Sequence, residues 1–100
     1  MQASRDDVVL AKLSAQRAFL GEIRKEFRAI TISLEDKAIE VLVYVDGEIA
    51  EEYKALSSII EAEMTADFDG DYGVRVNFVR SDFPGMISDF GLWVFQRHES

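Results

Sequence analysis

Apolar residues recur at helical spacing along the first quarter of the chain. Val9, Leu13, Leu20, Ile23 and Phe27 fall on one face, Gln16 takes the remaining slot, and Lys12, Arg17, Arg24 and Lys25 lie off it. This predicts a helix from about Asp6 to Phe27 with that stripe buried. Gly21 interrupts it, at a cost of about 1 kcal/mol against alanine. The period then drops to two. Ile30, Ile32 and Leu34 alternate with Ala29, Thr31 and Ser33, giving a strand over Arg28–Leu34. After the polar turn Glu35-Asp36-Lys37, a second strand covers Ile39–Val45. There Ile39, Val41, Val43 and Val45 share one face, and Glu40, Leu42 and Tyr44 the other. Asp46-Gly47 stops it. A second helix runs from Glu48 or Glu51 to Phe68, with Ile49, Tyr53, Leu56, Ile60, Met64 and Phe68 as its buried stripe. Glu48, Glu51 and Glu52 crowd its first turns, where carboxylates offset the positive end of the macrodipole. Asp69-Gly70-Asp71 breaks it. Tyr72–Arg80 reads as a third strand, with Val74, Val76 and Phe78 alternating against Arg75 and Asn77. Ser81–Phe90 is a loop holding the only proline, Pro84, and Gly91–Arg97 is the last strand, with Trp93 and Phe95.

The order α-β-β-α-β-β predicts an α+β two-layer sandwich: one four-stranded, mostly antiparallel sheet with both helices on a single face. One hundred residues suit a single domain over 1–100. Simple alternation sends strand three parallel to strand two and strand four back antiparallel to strand three, while the lateral order of strands stays open. The loops then gather at two poles. The lower pole joins Glu35 and Asp36 to Asp67, Asp69 and Asp71. Lys37 is the base within those loops, and Arg5 and Arg97 are the terminal bases placed to approach. The upper pole joins Asp46, Glu48, Glu51 and Glu52 to the Ser81–Phe90 loop, where Arg24, Lys25, Arg28 and Arg80 offset them. The lower pole is therefore expected to be the stronger trap for positive charge.

Composition sharpens this. Hydrophobic content is 48%, with seven Phe, three Tyr and one Trp, enough to build a core. The absence of cysteine excludes a disulfide framework and thiolate zinc sites. No apolar run approaches the roughly 18 residues a membrane span needs, and the polar start lacks a secretory h-region, so a cytoplasmic location is expected. The net charge of −8 is concentrated: residues 31–72 carry twelve acids against Lys37 and Lys54, while 1–30 carry six bases and four acids and 73–100 are balanced. Such a field repels nucleic acid and favours encounter with a basic protein.

Catalytic patterns are weak. His98, the only histidine, sits near the C-terminus, where a solvated side chain is the plainer reading. No serine is framed by G-x-S-x-G, and the scattered glycines form no phosphate-binding fingerprint. Asp67-x-Asp69-Gly70-Asp71 begins like a calcium loop, but Tyr72 falls where its glycine belongs and Phe78 where its bidentate glutamate belongs. Neither a cofactor nor a metal is expected, and no enzymatic activity. Two features suit binding. The loop residues Phe83, Met86, Ile87 and Phe90 either cap the end of the core or meet a partner. The helix-free sheet face carries Leu42, Tyr44 and Val79 with either Trp93 and Phe95 or Leu92 and Val94, a patch open to a homodimer or a partner.

The stretch Tyr44-Val-Asp-Gly-Glu-Ile-Ala-Glu-Glu-Tyr53 through Thr65-Ala-Asp-Phe68, followed by Arg80-Ser-Asp-Phe-Pro84, resembles small acidic immunity proteins of the contact-dependent growth inhibition type, encoded beside polymorphic toxin genes in bacteria. The likeness spans about Ser14 to Phe95 and departs at Ala50, where a capping serine is expected. It implies a cytoplasmic, non-catalytic protein that neutralises a cognate toxin, the C-terminal toxin domain of a larger protein and commonly a basic nuclease, by masking its active site. It carries over no interface residue. The pole argument supplies them instead: Glu35, Asp36, Asp67, Asp69 and Asp71, with Tyr72 as aromatic anchor. Behind this reading stand a homodimeric accessory or regulatory domain pairing through its open sheet face and, last, a small enzyme using paired carboxylates.

Overall fold

Where the period-two pattern turns back on itself, the chain makes a tight hairpin. In the computed structural model, which describes residues 5–68 and 70–99, β1 (Phe27–Glu35) pairs antiparallel with β2 (Ala38–Val45) through a two-residue turn. Asp36 and Lys37 both take left-handed backbone angles, φ 53° and 70°, as a type I′ turn requires. Around the hairpin stand α1 (Arg5–Ala18), α2 (Tyr53–Thr65), β3 (Gly73–Arg80) and β4 (Leu92–Gln96). The sheet order is β3-β2-β1-β4. β3 lies parallel to β2, as simple alternation through α2 predicts, and β4 lies antiparallel to β1.

That last pairing corrects one expectation. Because β4 joins β1 rather than β3, it runs in the same sense as β2 and β3, not back against them. The connection of residues 81–91 is long enough to allow it, since an extended chain of that length reaches about 36 Å.

Apolar side chains of the sheet alternate onto one face. Phe27, Ile30 and Ile32 meet Ile39, Val41, Val43, Val45 and Val76 there, under Tyr53, Leu56, Ile60 and Met64 of α2. Those four are among the six residues that the spacing predicted, and Phe68, beyond the end of the helix, is partly buried against the core. Ile49 is 43% exposed because α2 begins only at Tyr53, with Glu52 as an N-cap that makes no side-chain capping bond. Glu48, Glu51 and Glu52 consequently precede the helix instead of occupying its first turn. Glu61 of α2 accepts a hydrogen bond from the Val76 N–H at 2.8 Å, filling a donor on edge strand β3.

The first helix departs most from its expected form. It stops at Ala18, ahead of Gly21, whose φ of +83° is cheap only for glycine. The buried residues are Ala11, Ser14, Ala15 and Ala18, while Val9, Leu13 and Leu20 are 51%, 58% and 81% exposed and Ile23 is 39% exposed. Small side chains let α1 settle closely against its neighbours, and the larger leucines point away. Leu13→Gln is expected to change stability by no more than about 0.5 kcal/mol, whereas Ala15→Leu overfills the contact and costs about 1–3 kcal/mol in urea unfolding.

Candidate functional site

The helix-free face is an ordered lattice of cross-strand rows. Parity and register place Ser33, Glu40 and Arg75 in one row, Thr31, Leu42 and Asn77 in the next, and Ala29, Tyr44 and Val79 above them. Two β-bulges modify it. Arg28 is the extra residue between the Phe27–Val45 and Ala29–Tyr44 pairs, and Val94 the extra one between Phe95–Ile30 and Trp93–Thr31. Trp93 thus sits beside Thr31, while Val94 and Phe95 pack against the core. Neither expected alternating set of β4 faces outward whole.

At the upper end the bulge buries Arg28 to 4% exposure, and its guanidinium is fully engaged. It donates to both carboxylate oxygens of Glu99 at 2.7 and 2.9 Å and to the Ser81 carbonyl at 2.9 Å. This holds the Glu99 carboxyl down at about 2. Arg97 pairs with Asp46 and Glu99, and Arg80 with Asp82. Asp46, Asp82 and Glu99 are thus matched by arginines, while Glu51 pairs with Lys54 and Glu48 and Glu52 form no ion pair among the described residues. Arg97 belongs to this end, not the lower one, because β4 runs toward it.

From this network the residues 81–91 run as a strap across the open face. Asp82 accepts from the Gly47 N–H at 2.8 Å, and Asp46 accepts from the Phe83 N–H at 3.1 Å. The Phe83 ring lies against Arg28, 5.6 Å from ring centroid to guanidinium. At the far end Asp89 accepts from Thr31 Oγ1 at 2.8 Å, Tyr44 Oη at 2.5 Å and the Gly91 N–H at 2.6 Å. Burial opposes ionisation of Asp89, but these donors outweigh it and hold its carboxyl below the usual range. The same burial and the facing carboxylate push Tyr44 up to about 12. A β-carbon on Gly91 would stand 2.7 Å from the Ile32 carbonyl oxygen, so glycine alone lets the strap turn into β4 this closely. The loop therefore neither caps the core nor stands free at the upper pole: Met86 and Phe90 are 93% and 102% exposed.

The lower end is built differently. A groove of about 400 Å³ opens there between Ser33, Glu35, Ala38, Ile39, Glu40, Gly73, Val74 and Arg75. Glu35, Glu40 and Asp71 are exposed and form no ion pair among the described residues. Asp36 is exposed at the tip of the hairpin. The other expected residues serve the fold. Asp67 accepts from Ser14 Oγ at 2.6 Å and pairs with Arg17, which together hold its carboxyl low and tie the end of α2 to α1. Tyr72 is 8% exposed, donates to Asp7 at 2.6 Å and carries Lys37 over its ring at 4.8 Å. Asp69 lies outside the described residues. His98 is exposed. Among the described residues no three His, Asp or Glu side chains gather as a metal site, and no helix is long and apolar enough to cross a membrane.

Strand parity had already put Glu40 on the open face, and that was the signal for adding it to the acidic rim. Asp89 gave none, since only the crossing of the strap brings it to Thr31 and Tyr44.

No curated protein matches the chain. The sequence model of the MafI2 immunity protein family matches residues 9–99.

Proposed function

The chain belongs to the MafI2 immunity protein family, and from that premise we propose that it binds a toxin domain in the cytoplasm and masks the basic surface, a nuclease cleft in the leading case, through which that toxin works. Family membership carries the coarse function, immunity to a toxin. The charge distribution supports the finer one. Asp46, Asp82 and Glu99 at the upper end are paired off by Arg97, Arg80 and Arg28, whereas Glu35 and Glu40 line the lower groove, with Arg75 as the base in its wall and Asp71 two residues before its Gly73. That asymmetry is the observation the reading rests on. An acidic rim stands in for phosphate groups, speeds encounter with a positive surface and requires no catalysis, cofactor or metal. The interface runs over Glu35, Asp36, Glu40 and Asp71, with Asp67 and Tyr72 holding the pole in shape beneath it.

The rival reading, two copies pairing through the sheet face, meets the strap lying across that face. Light scattering separates the two, since a stable dimer mass at micromolar concentration would favour the rival.

Charge variants test the assignment. Glu35→Gln combined with Glu40→Gln and Asp71→Asn is expected to slow association with the toxin about tenfold at low salt, with dissociation little changed and the gap closing as salt is raised. Unchanged association at low salt would remove the acidic rim from the interface.

A further inference from the structure

The strap inverts the usual rule for loops. Its polar groups are engaged by the rest of the fold, Asp82 with the Gly47 N–H and Arg80 at the surface, Asp89 with Thr31 and Tyr44 beneath it, and the Ser81 carbonyl with Arg28. Two of its apolar side chains, Met86 and Phe90, turn outward and are almost wholly exposed, while Ile87 is half-buried and Phe83 lies against Arg28. A loop held at both ends by tertiary hydrogen bonds loses little further entropy when a partner docks on it, so an apolar side chain displayed there suits an anchor. We infer that Met86 and Phe90 are the apolar anchors of the interface, seating in a recess on the toxin that is ringed by basic side chains. This rests on the immunity reading and adds to it the specificity-determining element.

Charge decides the occupant. The strap shares its sheet face with the groove of Glu35 and Glu40. Phe90 follows Asp89, which sits on Thr31 one row from Ser33 and Glu40, so whatever covers the Phe90 end of the strap also approaches those carboxylates. A second copy of this chain would set two acidic rims together, and an anionic lipid surface would be repelled likewise. A basic protein with an apolar recess meets both halves: the rim governs the speed of encounter, and the strap governs how long the complex lasts.

The test uses the full chain and the toxin domain whose lethality in cells this chain suppresses, with binding kinetics followed for Met86→Ser, Phe90→Ser and the double variant. Each single variant is expected to weaken binding about 30-fold, almost entirely through faster dissociation, while association stays within about threefold. The charge variant above should show the converse. Both residues are surface-exposed, so the variants are expected to unfold at the parent's urea midpoint, and Leu13→Gln serves as an exposed apolar control away from the strap. Parent-like dissociation of the double variant overturns the inference and leaves the immunity reading standing. A parent that neither binds nor protects against any such toxin overturns that reading as well. A parent dimer that Phe90→Ser dissociates would make a second copy the occupant and overturn the inference.

Discussion

Phe27→Ala is expected to lower the free energy of unfolding by about 3–5 kcal/mol, the largest loss for any single truncation in this core. Phe27 is 0% exposed and opens β1 opposite Val45. Its ring meets Tyr53 of α2 edge-on at 5.5 Å and Phe78 of β3 at 5.9 Å, and those two rings stack on each other at 4.7 Å. One side chain thus joins β1, β3 and α2. Truncation leaves a cavity walled by two aromatic rings, and the rings cannot collapse into it: Tyr53 is held by its hydrogen bond to Glu26 at 2.6 Å. Urea unfolding checks this through the midpoint at constant slope, with Leu20→Ala, 81% exposed in the parent, as a neutral comparator. A loss below about 1 kcal/mol would mean that this aromatic cluster is not the centre of the core.

The same residue shows what the pattern could and could not tell. Phe27 continues the helical spacing of Val9, Leu13, Leu20 and Ile23, so periodicity assigns it to a helix, and it is buried in fact as the first residue of a strand. Gly21 was the contrary signal. A left-handed glycine ends a helix more often than it interrupts one, and α1 stops three residues before it. The inward face of α1 was hidden because Ala11, Ser14, Ala15 and Ala18 have little hydrophobic weight, and their merit is closeness of approach. Strands fared better. Period two has only one phase to get right, and the valines of β2 with Tyr53, Leu56, Ile60 and Met64 of α2 leave no competing face.

The face that carries function depends on topology more than on local pattern. The lower pole was legible insofar as Glu35, Asp36 and Asp71 flank turns that alternation sends to one end. Asp67 was not, because Ser14 and Arg17 reach it only once α1 lies where its alanines put it. Arg97 moved to the opposite end from the one expected for a like reason: the sense of β4 depends on a crossing of the sheet that no local signal encodes. The strap could be read as apolar, yet which of its side chains point outward followed from tertiary partners, Asp82 and Asp89 above all.

Those partners make the second large prediction. Asp89→Ala strips acceptors from Thr31 Oγ1, 2% exposed as a residue, and from Tyr44 Oη and the Gly91 N–H. Hydrogen bonds to a charged acceptor and a buried hydroxyl left without one put the loss at about 2–4 kcal/mol at neutral pH. The folded-state carboxyl lies below its unfolded value. Its stabilising contribution is therefore fully present above the unfolded carboxylate pKa, about 3.9, and lost as pH falls through the lower folded value. Parent and Asp89→Ala should differ fully at pH 7 and converge under acid, whereas Tyr44→Phe, which removes one donor and leaves those of Thr31 and Gly91 on the carboxylate, should cost less than Asp89→Ala at neutral pH. Hydrogen exchange locates the effect: amides of the strap and of β4 should lose protection in Asp89→Ala while β2 keeps its own. The loosened strap must then be ordered by the toxin at the moment of binding, so affinity should fall although Asp89 itself faces inward. Equal stability of parent and Asp89→Ala at pH 7, with unchanged exchange in the strap, would show that Met86 and Phe90 are not held in place by this latch.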